Sequence, residues 1–205
     1  VTEGNPLPEL ADNANRYRKP FKWGIIYWLM YEGTKVRLRP LERKHLSKCV
    51  EWLNDVEVTE TLSISEPLGM EGEQRWYETH LKDTTSKIYA IETLEGEHIG
   101  NVGLESICLH DRKAELGIFI GKKNFWGKGY GTEAVQLALK LAFEGLNLNK
   151  VYLRTFVTNV RAQRCYEKAG FVKEGLLRQD MFKNGKYLDC LVYSVLSEEY
   201  TDINH

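Results

Sequence analysis

Neither sign of charge dominates this chain. Its 205 residues carry 28 basic and 29 acidic side chains, so no global field favours nucleic acid or an anionic membrane as a partner. Cysteine is sparse: Cys49, Cys108, Cys165 and Cys190 stand far apart, and the five histidines form no ligand-spaced cluster with them. That spacing argues against a disulfide framework and against a zinc site, so no metal is expected and a reducing cytoplasm fits best. A long hydrophobic run is missing too. The most apolar stretch, Phe21 to Tyr31, covers 11 residues against the roughly 20 of a membrane span, and no small-residue cleavage pattern follows it. Proline is scarce and uneven, with Pro6, Pro8 and Pro20 in the polar lead-in and only Pro40 and Pro67 beyond it. Residues 1–33 therefore read as a partly flexible N-terminal extension. Its apolar run is either an added strand or helix packed on the domain or, on a sharper reading, a homodimer contact.

What is present describes an ordinary globular domain over residues 34–200, since 42% hydrophobic and 28% charged residues suffice for one sizeable core. Lys35 to Arg39 alternates as a strand does, and Leu41, Leu46, Val50 and Leu53 then recur at helical spacing through Asn54. A second helix is predicted over Glu71 to Lys82, with Trp76 and Leu81 on its apolar side. Ile88 to Thr93, His98 to Ile107 and Ala114 to Gly121 suit an antiparallel meander. Val135, Ala138, Leu139, Ala142 and Phe143 line one face of a third helix that Gly145 should end. A strand over Lys150 to Thr158 leads to Asn159, which can cap a helix with Ala162, Cys165, Tyr166 and Ala169 inward and Gly170 as its stop. Phe171 to Phe182 and Tyr187 to Leu196 pair through Asn184-Gly185, the dipeptide preferred in a type I′ hairpin. The fold class is α/β in the α+β sense, a mixed sheet flanked by helices.

The most informative segment is Asn-Phe-Trp-Gly-Lys-Gly-Tyr-Gly-Thr-Glu-Ala, residues 124–134, where a strand gives way to a helix. Glycines at 127, 129 and 131 permit sharp turns that present successive N–H groups, and the helix adds the positive end of its dipole. The expected guest is a phosphate or pyrophosphate. A nucleoside triphosphatase loop fits badly, because five residues separate Gly121 from Gly127 and Gly129 stands where Ser or Thr must meet magnesium. A dinucleotide fingerprint fails as well, for the spacing is Gly-x-Gly-x-Gly and the next strand ends without a carboxylate.

This loop, followed by a strand and then by Asn159-Val-Arg-Ala162-Gln-Arg-Cys-Tyr166-Glu-Lys-Ala-Gly170-Phe171, resembles the acetyl-CoA-dependent N-acetyltransferases of the GNAT superfamily. The resemblance covers about Lys35 to Leu196 and is strongest to the branch of ribosomal-protein N-terminal acetyltransferases and spermidine acetyltransferases. It implies a GNAT fold, a mostly antiparallel central sheet with flanking helices, and acetyl-CoA as acyl donor. Trp126 departs from the pattern, standing where many members carry Gln or Arg, but a backbone cradle does not depend on it.

The resemblance assigns the cofactor's pyrophosphate to the amides of Gly127, Lys128, Gly129, Tyr130, Gly131 and Thr132; by their charge the side chains of Lys122, Lys123 and Lys128 either add attraction to its phosphates or are simply solvated. It also implies that Ile118, Phe119 and Ile120 lie where the strand splays and pairs with the pantetheine arm, and that Asn159 and Ala162 meet the same arm. Tyr166, two turns after Asn159 and on its face, is then the proton donor to the leaving sulfur, because a phenol keeps its proton until about pH 10. An amine must lose a proton before it attacks, and Glu115 is the candidate base. The acidic segment from Asn54 to Glu73, with Asp55, Glu57, Glu60, Glu66, Glu71 and Glu73, corresponds to the acceptor wall, while Tyr187 and Asp189 either border that cleft or pack the hairpin. The acceptor is a small-molecule or peptide amine, with a polyamine favoured by the acidic segment. Two alternatives remain at this point: a regulatory module that binds acyl-CoA without turnover, and a transferase of a bulkier acyl group.

Overall fold

The computed structural model describes residues 31–200. The apolar run and its dimer reading fall, except for Tyr31, outside the described residues. Seven strands form one sheet: β1 (Val36–Pro40), β2 (Lys87–Thr93), β3 (His98–Cys108), β4 (Lys113–Ile120), β5 (Lys150–Phe156), β6 (Val172–Lys183) and β7 (Lys186–Leu196). Their order is β1-β2-β3-β4-β5-β7-β6. Among the described residues only β4 and β5 run parallel, and the other strand pairings are antiparallel. The helices are α1 (Leu46–Leu53), the single turn α2 (Val56–Thr59), α3 (Met70–His80), α4 (Tyr130–Lys140) and α5 (Val160–Lys168).

The expected periodicities account for most of this. On α4, Val135, Ala138 and Leu139 are fully or almost fully buried in one cluster with Val102, Leu104, Val151 and Leu153 of the central strands. Val135 and Leu139 each contribute about 1.5–3 kcal/mol when withdrawn from water, enough to fix which face of the helix meets the sheet. Asn184 and Gly185 adopt φ of 49° and 77°, as a type I′ turn requires, and Lys183 pairs with Lys186 across it. Gly170, at φ 95°, stops α5 as expected.

Three local readings need correction. Pro40 is followed by a 3-10 turn at Arg43–His45 before α1 begins at Leu46, so the helix is shorter than its apolar spacing suggests. On α3 the buried residues are Tyr77 and Glu73, while Trp76 and Leu81 are 41% and 61% exposed. Tyr77 joins Leu41, Leu46, Cys49 and Ala90 in a small second cluster, and Trp76 instead stacks on His80 at 5.6 Å. Finally, α4 runs into one wide turn at Leu141–Gly145, and the left-handed residue beyond it is Asn147 at φ 52° rather than Gly145. Gly145 is needed for close packing: a Cβ there would lie 2.8 Å from the Tyr31 hydroxyl oxygen.

Under α1, His45 and His98 are half of a compact polar group. Their rings lie 4.7 Å apart, and Trp52 packs on His98 at 4.8 Å. His45 Nδ1 accepts the Glu42 N–H at 2.9 Å, while His98 Nε2 lies 2.8 Å from Asn101 Oδ1. His45 Nε2 and His98 Nδ1 are buried without a hydrogen-bond partner among the described residues.

Candidate active site

β4 and β5 pair only at Lys113, Ala114 and Glu115, and from Leu116 onward they diverge. β4 stays attached to β3 as far as Ile120, and β5 stays attached to β7, so the sheet opens into a V with Glu115 at its vertex. A cavity of about 750 Å³ fills the opening. Both faces of β4 line it, Glu115 and Gly117 from one and Leu116 and Ile118 from the other, so the opening connects the two sides of the sheet.

At one end lies the glycine loop. Gly127 and Gly129 take φ of 71° and 88°, a region closed to most side chains, and Gly129 caps α4. None of the six N–H groups from Gly127 to Thr132 donates to an acceptor among the described residues. Six successive free donors at a helix start are the arrangement that can accept an anion. The loop is held from outside: Lys35 Nζ donates to the Lys128 carbonyl at 2.9 Å, and the buried Glu133 carboxylate accepts the Thr34 and Lys35 N–H groups. Trp126 also helps, donating its indole N–H to the Ile120 carbonyl at 2.6 Å beneath the Arg161 guanidinium, which sits 3.7 Å from the ring.

Of the residues expected here, Ile118, Phe119, Ile120, Gly127, Gly129, Gly131, Thr132, Asn159, Ala162, Tyr166 and Glu115 all border the cavity. The Lys128 and Tyr130 side chains do not. Tyr130 packs edge-on against Phe125 at 4.8 Å, leaving only its amide for the socket. Lys122 and Lys123 are already engaged, the first by Glu97 and the second by Asp55 at 2.9 Å and Glu57 at 2.7 Å. Asn159 Oδ1 accepts the Ala162 N–H at 3.1 Å, the cap its sequence position suggested.

Tyr166 faces the cavity from α5. Its ring is buried against Phe171 and Tyr193, and burial pushes its pKa above the ordinary tyrosine value. Its hydroxyl has no hydrogen-bond partner among the described residues, which leaves the proton available to a group in the cavity.

The acidic segment expected to wall an acceptor site does not bring its carboxylates to the cavity. Thr61, Leu62 and Ser63 line the cavity, whereas the carboxylates of Asp55, Glu57, Glu60, Glu66, Glu71 and Glu73 do not. Asp55 caps α2 and holds Lys123, Glu57 holds Lys123, and Glu73 is buried with its pKa raised by desolvation. Tyr187 and Asp189 also lie outside it: Tyr187 packs on Phe182 at 5.1 Å, and Asp189 accepts the Gln179 N–H at 2.7 Å. The acids on the cavity are Glu115 and Glu105, opposite each other on β4 and β3. Glu115 accepts from Arg154 Nε at 3.2 Å, and Arg154 also reaches Asp180 at 3.5 Å.

The cavity-lining loop is shaped by one residue that sequence reasoning missed. Lys183 of β6, 7% exposed, donates to the carbonyls of Thr59, Leu62 and Ile64 at 2.8, 2.5 and 2.7 Å. Burial lowers its pKa, yet three aligned carbonyls supply what its ammonium loses in leaving water. Among the described residues no group of three or more His, Cys, Asp or Glu is arranged to hold a metal ion.

Residues 35–172 match the family model of the acetyltransferase (GNAT) domain. The chain belongs to the GNAT acetyltransferase family. This GNAT enzyme is 33% identical over 169 residues to a spermidine N(1)-acetyltransferase of Vibrio cholerae, covering 82% of this chain and 96% of that one. It is 36% identical over 106 residues to a putative ribosomal N-acetyltransferase of Bacillus subtilis, covering 52% and 57%. A crystal structure of the Vibrio cholerae spermidine N-acetyltransferase with CoA and spermine superimposes at a TM-score of 0.77, with 31% identity, over 82% of this chain and 99% of that one. The protein is an acetyl-CoA-dependent N-acetyltransferase acting on a primary amine.

Proposed function

We propose that this enzyme acetylates a cationic polyamine by direct attack of the amine on acetyl-CoA within a ternary complex. One observation carries the reading: a single cavity joins the glycine loop at Gly127, Gly129, Gly131 and Thr132, whose N–H groups are free, and an unpartnered phenol to two carboxylates. The residues fit acetyl-CoA, which supplies an activated acyl carbon and a thiolate leaving group. Gly127 to Thr132 hold the diphosphate through their N–H groups, and Ile118 to Ile120 offer backbone groups freed by the divergence from β5 to the pantetheine amides. Asn159 and Ala162 flank the same arm from α5. Tyr166 gives its proton to the sulfur as the C–S bond breaks, for which its buried, protonated state is suited.

Glu115, read from the sequence as the base, is fixed by Arg154, and it stands opposite Glu105 where the two carboxylates can meet a cationic amine. The polyamine assignment is supported by the relatives named as spermidine acetyltransferases. Release of CoA thiol should be fastest with spermidine or spermine in a panel that also contains amino sugars, amino acids and N-terminal peptides. Substitution Tyr166→Phe should lower turnover by about 10²–10⁴-fold with acetyl-CoA affinity unchanged in calorimetry. Full activity in that variant returns Tyr166 to the core, and a panel without any turnover removes the enzymatic reading of this site.

A further inference from the structure

The two cavity carboxylates are neighbours in register but not equals. Glu115 is bound by Arg154 at 3.2 Å, whereas Glu105 has no ion pair or hydrogen bond among the described residues. β3 delivers Glu105 at the last regular pair before a bulge, where the register slips between Glu105 and Cys108 and Ser106 adopts φ 50°. Bulges of this kind re-aim the adjoining side chain, and they recur beside active sites. Here the carboxylate lies along the opening of the sheet: a Cβ placed on Gly117 would be 3.9 Å from Glu105 Oε1. Gly117 belongs to the divergent part of β4, where the acyl arm passes if the acetyl-transfer reading is right, and this inference rests on that reading.

We infer that Glu105 is the catalytic base, taking the proton from the acceptor ammonium, while Glu115 and Arg154 form a fixed pair that positions it. The step balances as follows. An ammonium N–H bond breaks and its proton goes to the Glu105 carboxylate. The neutral nitrogen forms the C–N bond as the C–S bond breaks, and the sulfur takes the Tyr166 proton. The second nitrogen proton restores Tyr166, and Glu105 releases its own to solvent. The surroundings suit an acceptor of protons. Glu105 is open to solvent on one side, and partial desolvation together with the like charges of Glu115 and Asp83 raises its pKa above the ordinary carboxylate value. Glu115 is opposed by Arg154, which also engages Asp180, and Cys190 beside them has its pKa raised to about 11 and so stays a thiol. A carboxylate without a cation and with a raised pKa is a better base than one tied to a guanidinium.

The test compares Glu105→Gln, Glu115→Gln and the unaltered protein, with spermidine as the probe amine, over about pH 6 to 10. Glu105→Gln should lower kcat/KM for spermidine by about 10²-fold near neutrality. The loss should shrink by about tenfold per pH unit as the free-amine fraction rises. Acetyl-CoA affinity and thermal unfolding should not change. Glu115→Gln should cost less and keep the acid limb of the profile. An unaltered profile in Glu105→Gln, or loss of the acid limb in Glu115→Gln instead, overturns the assignment. If the unaltered protein itself shows no turnover, it is the acetyl-transfer reading that fails.

Discussion

The donor and acceptor ends of the cavity are made of different material. The donor end is main chain: six N–H groups from Gly127 to Thr132 and the freed edge of β4. The acceptor end is side chain: Glu105, Glu115 and Arg154, together with a loop whose carbonyls are gathered by Lys183. Main-chain recognition suits a ligand that is always the same, whereas side-chain walls can be altered one residue at a time. Damage should therefore separate cleanly, with donor-end changes felt in acetyl-CoA binding and acceptor-end changes in the amine KM.

Of substitutions that reshape one end without touching the reacting groups, the larger effect should come from the acceptor end. Lys183→Met strands three carbonyls, and loss of charge-assisted bonds of this kind costs about 3 kcal/mol of stability, read as a fall in the unfolding midpoint. The KM for the amine should rise on the order of tenfold, equivalent to about 1.4 kcal/mol, with acetyl-CoA affinity unchanged. An equal loss of acetyl-CoA affinity would erase the division between the two ends. At the donor end, Gly129→Val forces a branched side chain into φ 88°, a conformation that costs about 1–2 kcal/mol. Acetyl-CoA should then bind on the order of tenfold more weakly by calorimetry, while the amine KM holds.

The smallest effect lies outside both ends, in the paired histidines under α1. Burial holds the pKa of His45 and His98 below the ordinary histidine value, so the unfolded chain binds more protons once the pH falls through about 6.5. Their contribution is complete above that pH and is lost below it. Denaturant unfolding at about pH 7.5 and about pH 5.5 should show lower stability at the acid value, and Trp52, which touches both His98 and Phe119, should report the change in its fluorescence. Equal midpoints would mean that these rings are solvated and neutral to the balance.

The same division explains what the amino-acid order disclosed. The glycine turn was legible because its requirement is local: glycine where φ is positive, within a few residues of a helix start. Asn159 and Tyr166 were equally readable, lying on one short helix at fixed spacing. The acceptor end was not, because its parts meet only in three dimensions. Lys183 reaches across 124 residues to Thr59, and Glu105 meets Glu115 only through the β3–β4 register and the bulge after it. The acidic segment misled for a related reason. Charge along a loop does not say where each carboxylate points, and Asp55 and Glu57 turn to Lys123. On α3, Trp76 and Leu81 were expected inside, but Tyr77 is the residue that meets α1 and β2.

A socket written in peptide groups has an evolutionary corollary. Most substitutions along residues 127–132 exchange side chains without touching the donors, so drift there meets little resistance until a glycine with positive φ is hit. Lineages descending from such a scaffold would keep their acyl currency long after the walls opposite had been rebuilt for new amines.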